Sequence, residues 1–332
     1  MDYLDYKGIW IFAEQRGGQL NPVCFELLAK AQELKAHSGE EICAVLLGHN
    51  VESLVPELIA RGADKVILAQ HENLAQYSAR PYQQVLTQLA EKHKPSIILY
   101  GATSLGRDLA PRMMISLKTG LTADAIDLGY DEDGVFFQTT PAYGGSILAH
   151  IVIAERRPQM STVRPKMFTP LAPDYARQGE LIRESVQAGK EECCQVLGME
   201  PKAVEGTPID QAKILVCGGR GIKSSEELAA LKELAALLGG ELASSRPLVD
   251  AGMLPHSKQV GQSGATVKPE LIINVAISGS VQYQVGMQNA KCVVSVNRME
   301  GAPIFDISHY GAVADFKTLI PAVIAEIKKR RA

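Results

Sequence analysis

The stretch ILVCGGRGI, residues 214–222, decides how the second half of the chain is read. Ile214, Leu215, Val216 and Cys217 form an unbroken apolar run, the mark of a strand covered on both faces. Gly218, Gly219 and Gly221 then turn it directly into a helix. Both helix ends are written in the sequence: Ser224 with Glu227 makes a capping box, and Leu228, Leu231, Leu234, Ala235 and Leu238 recur at helical spacing until Gly239 and Gly240. Further strands are expected at Leu271 to Ile277, Cys292 to Val296 and Pro303 to Ile307, with a closing helix near Thr318 to Lys329. This is one α/β unit.

A second unit precedes it. Strand candidates Gly8 to Ala13, Ile42 to Gly48, Val66 to Ala69 and Ile97 to Gly101 alternate with amphipathic segments at Pro22 to His37 and Arg80 to His93, the pattern of a parallel sheet with crossover helices. After Lys118 the texture changes. A turn at Asp131 to Gly134 separates extended runs, and another run follows at Ser146 to Ala154, so an antiparallel addition is expected. From Met167 to Ala212 prolines and charges dominate, which reads as a connector or a peripheral strand pair. The chain is therefore expected to be α/β with two domains, residues 1–205 and 206–332, each a mainly parallel sheet with flanking helices.

The totals exclude several classes. The 37 acidic and 34 basic residues leave a net charge of -3, with no global field to draw nucleic acid or anionic lipid. Six cysteines (Cys24, Cys43, Cys193, Cys194, Cys217 and Cys292) include no C-x-x-C pair and read as reduced thiols, with no function assigned to the adjacent pair. The opening MDYLDYKGIWIFAEQ has no basic segment leading into a long apolar run, so no export is expected. No apolar run approaches the roughly 20 residues of a membrane-spanning helix. A cytoplasmic protein without membrane insertion is expected.

Two glycine-rich regions could hold a phosphorylated ligand. Gly218, Gly219, Arg220 and Gly221 join a strand to a helix start, where free N–H groups and the helix dipole favour an anion. The spacing is neither that of a dinucleotide fingerprint, because Ser224 stands where a glycine is needed, nor that of a Walker A loop. Taken alone, such a turn has an equally good purely structural reading. The second region comprises Gln259, Val260, Gly261, Gln262, Ser263 and Gly264, preceded by Ser244, Ser245 and Arg246 and followed by Ser278, Gly279 and Ser280. Loops at the carboxyl ends of strands converge on one crevice in such folds, so these could line a single extended ligand. No acid, base and nucleophile come together, which points to binding rather than bond cleavage, and neither a catalytic residue nor a metal ligand is assigned.

Four blocks, GGRGIKS at 218–224, SSRPLVDAG at 244–252, QVGQSGATVKPELIINVAISGSVQY at 259–283 and APIFDISHYGAVAD at 302–315, together resemble the electron-transfer flavoprotein alpha subunit. GATSLGRDLAPR at 101–112, GLTAD at 120–124 and TVRPKMF at 162–168 extend the resemblance to the first domain. It implies a Rossmann-like FAD-binding fold in the carboxyl-terminal domain, without a standard GxGxxG, and an amino-terminal domain packed on a beta subunit that carries AMP or a second FAD. By the same resemblance, Arg220 and Ser245 lie near the FAD phosphates, Arg246 beside the isoalloxazine ring and Ser263 near flavin N5. Gln259, Gln262, Ser278, Gly279 and Gln282 wrap the ribityl and diphosphate, and Asn297 and Asp315 surround the adenosine end. Val260, Gly261 and Gly264 belong to the same loop. Tyr283 stands where many members have histidine, so a phenol either donates to the flavin in its place or simply packs. Arg298 stands where lysine is often seen.

The implied function is electron transfer between an acyl-CoA dehydrogenase type partner and other redox partners, either simply or as NADH-dependent electron bifurcation to ferredoxin. In neither form is the chain a stand-alone enzyme. The alternative is a non-redox nucleotide-binding regulatory protein. Arg107, Asp108 and Arg112 read equally as an intrahelical ion pair or as support for the subunit interface or the nucleotide held by beta. TVRP reads equally as a strand end without chemistry.

Overall fold

The computed structural model describes residues 5–142, 147–191, 196–198 and 207–331. The chain divides into two compact units, Met1–Met199 and Glu200–Ala332. Cys193 and Cys194 lie outside the described residues.

In the first unit, β1 (Ile9–Phe12) is followed by the two-residue strands β2 (Gln15–Arg16) and β3 (Gln19–Leu20), α1 (Val23–Ser38), β4 (Ile42–Gly48), α2 (Val55–Ala60), β5 (Lys65–Gln70), α3 (Ala79–His93), β6 (Ile97–Gly101) and α4 (Ser104–Ser116). Next come β7 (Leu121–Ala125), β8 (Asp127–Tyr130), β9 (Phe136–Ala142), β10 (Ile147–Ile151), β11 (Gln159–Val163) and β12 (Glu180–Glu184). Seven of these form one parallel sheet in the order β12-β5-β4-β1-β6-β11-β7. Alternation along β1 sends Ile9 and Ile11 into one core layer and Trp10 and Phe12 into the other, so the sheet is covered on both faces. The expected antiparallel addition is the three-stranded sheet β10-β9-β8, turned at Asp131 to Gly134, where the Asp131 carboxylate accepts from Asp133 N and Val135 N.

The connector corrects one expectation. Of the stretch from Met167 to Ala212, residues Glu180–Glu184 are not part of a peripheral strand pair but the parallel edge strand of the main sheet, paired to β5. Asp64 draws the chain there, accepting from Lys35 and Arg177 at 2.7 Å each. Such a strand is half-exposed and mixed in charge, so it carries no apolar run to announce it.

The second unit contains β13 (Ile214–Gly218), α5 (Ser225–Leu238), β14 (Glu241–Ser244), α6 (Arg246–Asp250), β15 (Leu271–Val275), α7 (Val281–Gln284), β16 (Val293–Asn297), β17 (Tyr310–Val313) and α8 (Phe316–Arg331). The sheet is parallel throughout, in the order β14-β13-β15-β16-β17. Ser224 caps the helix as expected: Glu227 N donates to Ser224 Oγ at 3.3 Å, and the Glu227 carboxylate reaches back to accept from Lys223 N, the residue before the cap, at 2.7 Å. Gly239 closes the helix with φ 71°, as a left-handed cap requires. Pro303–Ile307, expected as a strand, is a short 3-10 helix, and β17 lies a few residues later. Proline at its first position has no N–H for a sheet ladder but fits a helical turn.

Cys24, Cys43 and Cys217 are free and buried. Burial pushes the Cys43 and Cys217 thiols up to about 12, and drives Cys24 higher still with help from the nearby Glu14 carboxylate. An unfolded thiol titrates near 8.5. Between roughly pH 8.5 and 12 the unfolded chain therefore holds fewer protons than the folded one, and stability falls as pH rises, by about 1.4 kcal/mol per pH unit for each thiol. Urea midpoints measured from pH 8 to 10.5 should fall accordingly, and Cys43→Ala should make the slope shallower.

Candidate functional site

In the second sheet the chain builds β14 on one side of β13, then crosses to build β15, β16 and β17 on the other. Such a reversal leaves a crevice at the carboxyl ends of the strands. A cleft of about 1020 Å³ opens there, at the upper end of the range of about 300–1,000 Å³ for ligand pockets. Every strand end contributes: Arg220 after β13, Ser245 and Arg246 after β14, Ser278 to Ser280 after β15, Asn297 and Arg298 after β16, and Asp315 after β17. Gln259 to Ser263 form a further wall.

The glycines serve close backbone approach. Ala276, at the end of β15, has a left-handed φ of 54°. A Cβ on Gly219 would lie 2.1 Å from the Ala276 carbonyl oxygen, and one on Gly221 would lie 2.6 Å from Ala276 Cβ. At the next turn the carbonyls are tied back. Ser278 O accepts from Ile304 N at 3.0 Å, Gly279 O from Gln284 Nε2 at 2.9 Å and Ser280 O from Tyr283 N at 2.9 Å. The N–H groups of Ser278, Gly279 and Ser280 have no protein acceptor among the described residues. Three unspent donors in one turn bordering the cleft are the kind of arrangement that suits an anion.

Charge agrees with that geometry. Arg220, Lys223, Arg246, Arg298 and Lys317 line the cleft against only Asp250 and Asp315. Arg220 and Arg298 have no ion-pair partner among the described residues, and both are exposed. Arg246 Nε lies 3.2 Å from Asp250 one helical turn on. Both side chains are well exposed, so the pair is worth only ~0.3–0.5 kcal/mol and yields readily to a ligand.

The remaining expected residues divide. Ser263 Oγ accepts from Gln259 Nε2 at 3.0 Å and keeps its own hydrogen, while its carbonyl accepts from His256 Nε2 at 3.1 Å. Val260, Gly261 and Gln282 line the cleft, and Gln262 N donates to Gln282 O at 2.7 Å. Gly264 does not line it; a Cβ there would meet Gln259 O at 2.4 Å, so this glycine shapes the loop from behind. Asn297 is spent on backbone, with Nδ2 donating to Ile277 O at 2.8 Å and Oδ1 accepting from Met299 N at 2.9 Å. Asp315 accepts from Lys317 N at 2.9 Å at the start of α8. Tyr283 borders the cleft, but its hydroxyl points away and donates to the buried Asn274 Oδ1 at 2.6 Å. Asn274 is the participant that sequence reasoning missed. A single Asn within the apolar run Leu271 to Ile277 was its one signal.

In the first unit the quoted blocks hold one another. Asp124, at φ 57°, carries Arg107 at 3.1 Å and the buried Arg164 at 2.6 Å, and its N–H donates to Thr162 Oγ1 at 2.9 Å. Asp108 pairs with Arg112 at 3.2 Å within α4 and also accepts from Tyr77 OH at 2.7 Å. Thr103 caps α4 and donates to the buried Glu14 at 2.5 Å. Among the described residues no group of His, Cys, Asp or Glu is placed to hold a metal.

An open parallel sheet with a cationic, glycine-lined cleft along its carboxyl edge defines a cofactor-binding α/β protein. The electron transfer flavoprotein domain matches residues 9–188, and the electron transfer flavoprotein FAD-binding domain matches residues 208–288. Electron transfer flavoprotein subunit alpha of Thermoanaerobacterium thermosaccharolyticum is 44% identical over 98% of this chain and 99% of its own length. The subunit alpha of Clostridium acetobutylicum is 41% identical over 99% of each. Lactate dehydrogenase (NAD(+),ferredoxin) subunit LctC of Acetobacterium woodii is 39% identical over 97% of this chain and 77% of its own length. The chain thus belongs to the electron transfer flavoprotein alpha subunits, and its second unit is a flavin-binding domain that serves electron transfer. The non-redox alternative is set aside. No helix among the described residues is long and apolar enough to cross a membrane.

Gly279→Ala should destabilise the second unit by about 1–3 kcal/mol, since φ there is +85° and the new Cβ would sit 2.4 Å from Ile304 N. Gly301→Ala, in open space, should change stability by less than ~0.5 kcal/mol. Urea unfolding of the two variants measures the contrast.

Proposed function

We propose that the cleft holds one FAD in extended form. The observation that carries this is the turn at Ser278, Gly279 and Ser280, with three N–H groups unspent in a cleft where cations outnumber carboxylates. A dinucleotide diphosphate fits such donors. Arg220 and Ser245 complete the phosphate side, and Gln259, Gln262 and Gln282 take the ribityl chain. Arg246 lies beside the isoalloxazine ring and Ser263 offers its hydroxyl to N5. Arg298, Asn297 and Asp315 border the adenosine end.

Bound FAD supplies one- and two-electron chemistry, and no side chain acts as a nucleophile. The contribution of the chain is placement and field. Arg246 cannot lose its proton, so it favours the reduced, more negative ring and raises the potential. The other four cations around the cleft exert the same bias at longer range.

The chain acts in the cytoplasm with a beta subunit packed on the amino-terminal domain, residues 1–205, and passes electrons between an acyl-CoA dehydrogenase type partner and other carriers. Likeness to a subunit of an NAD(+)- and ferredoxin-linked lactate dehydrogenase favours the bifurcating version. In that version beta holds a second FAD, NADH is oxidised there, and ferredoxin takes one branch of the electrons. Simple transfer instead pairs one FAD with AMP.

The complex purified with its beta subunit should be yellow. A colourless complex that takes up no added FAD removes the proposal, and two flavins per heterodimer rather than one select bifurcation. In a redox titration, Arg246→Ala should lower the potential of the alpha flavin by tens of millivolts, ~59 mV for each tenfold loss of preference for a one-electron reduced form. An unchanged midpoint takes that role from Arg246.

A further inference from the structure

Resting on the flavin reading of the cleft, we propose that Tyr283 is a positioning residue for the cofactor diphosphate and not a donor to the flavin. A chain of polar groups, buried except for the half-buried Ser308, runs from its hydroxyl across the sheet to the back of the phosphate turn. Tyr283 OH donates to Asn274 Oδ1 at 2.6 Å, and Asn274 Nδ2 donates to Ser295 Oγ at 3.2 Å. The Ser295 and Ser308 hydroxyls are 2.7 Å apart, and Ser308 Oγ donates to Ile304 O at 2.7 Å. Asn274 and Ser295 are register neighbours on β15 and β16 and are fully buried.

The relay ends where the turn is gripped. Ile304 N donates to Ser278 O at 3.0 Å, and the Ile304 backbone lies so close to Gly279 that a Cβ there would sit 2.4 Å from it. Tyr283 grips from the other side, its own N–H donating to Ser280 O at 2.9 Å, while Gln284 Nε2 donates to Gly279 O at 2.9 Å. Tyr283 and Ile304 thus hold the two ends of the turn, and the relay fixes one against the other through the interior.

The Ile304 carbonyl can only accept, so the single Ser308 hydrogen goes to it, Ser295 donates to Ser308 and Asn274 Nδ2 to Ser295, and the direction is set from the Tyr283 hydroxyl to the Ile304 carbonyl. Reversing the tyrosine toward the cleft would leave Asn274 Oδ1 buried without a donor, the costly alternative for a group that is fully shielded from water. The hydroxyl therefore holds the turn in the shape that leaves three N–H groups free, and the flavin meets only the ring of Tyr283.

The test uses the heterodimer stripped of flavin. FAD and ADP, which share the adenosine diphosphate moiety, are titrated separately into wild type, Tyr283→Phe and Ser308→Ala, and the midpoint potential of each reloaded complex is measured. Tyr283→Phe should weaken FAD and ADP by the same factor, about five- to tenfold for one buried acceptor deprived of its donor, with the flavin potential unchanged. Ser308→Ala, remote from the cleft, should weaken both in the same ratio and decides the matter if Tyr283→Phe does not fold. Weakened FAD with unchanged ADP, or a shifted potential, returns the hydroxyl to the flavin and overturns the proposal. A lower thermal midpoint with both affinities intact reduces Tyr283 to a core residue and overturns it equally. Failure of wild type to bind FAD is a separate outcome that strikes the flavin reading itself.

Discussion

The second unit depends on one close approach, that of the β13 turn to the end of β15. With 2.1 Å between a notional Gly219 Cβ and the Ala276 carbonyl, no side chain can stand at that glycine without moving backbone. Ala276 itself accepts a left-handed conformation to complete the contact. Such strain, of order 1–3 kcal/mol, persists only where surrounding structure over-determines it, and it gathers at ligand sites. The consequence is that two strand ends at the switch point lie close enough to share one ligand.

Around that contact the polar groups are divided by direction. Carbonyls and amide side chains are consumed behind the loops, as with Asn297 on Ile277 and Met299 and Gln284 on Gly279. N–H groups and guanidinium groups remain toward the cleft. A chain with a net charge of -3 can therefore present a locally cationic surface where it matters for an anionic ligand, because placement rather than composition sets the field.

In the first unit, charged residues do the fastening that glycines do in the second. Asp124 joins α4 to β11 through Arg107 and Arg164, and Asp108 joins α4 to Tyr77. The pairing of Asp108 with Arg112 follows from helical spacing alone. That Asp124 is a hub follows from nothing in its neighbourhood of sequence, since its partners lie 17 and 40 residues away. Residues that look functional by type here also fasten the scaffold.

The sequence by itself determined the two parallel α/β units, the capped helix after β13, and the loops that approach the cleft, because these follow from local periodicity, caps and turn chemistry. It misjudged Pro303 to Ile307, where apolar side chains outweighed a proline's missing donor, and it could not see β12, which lacks an apolar run. Only the tertiary structure decided which way the polar side chains face. Tyr283, Asn297 and Gly264 sit within the right loops, yet the Tyr283 hydroxyl is spent on Asn274, the Asn297 amide on the Ile277 carbonyl, and Gly264 packs on Gln259 of its own loop. Spacing brings a residue to a site; the direction of its hydrogen bond belongs to whichever buried acceptor would otherwise go without a donor.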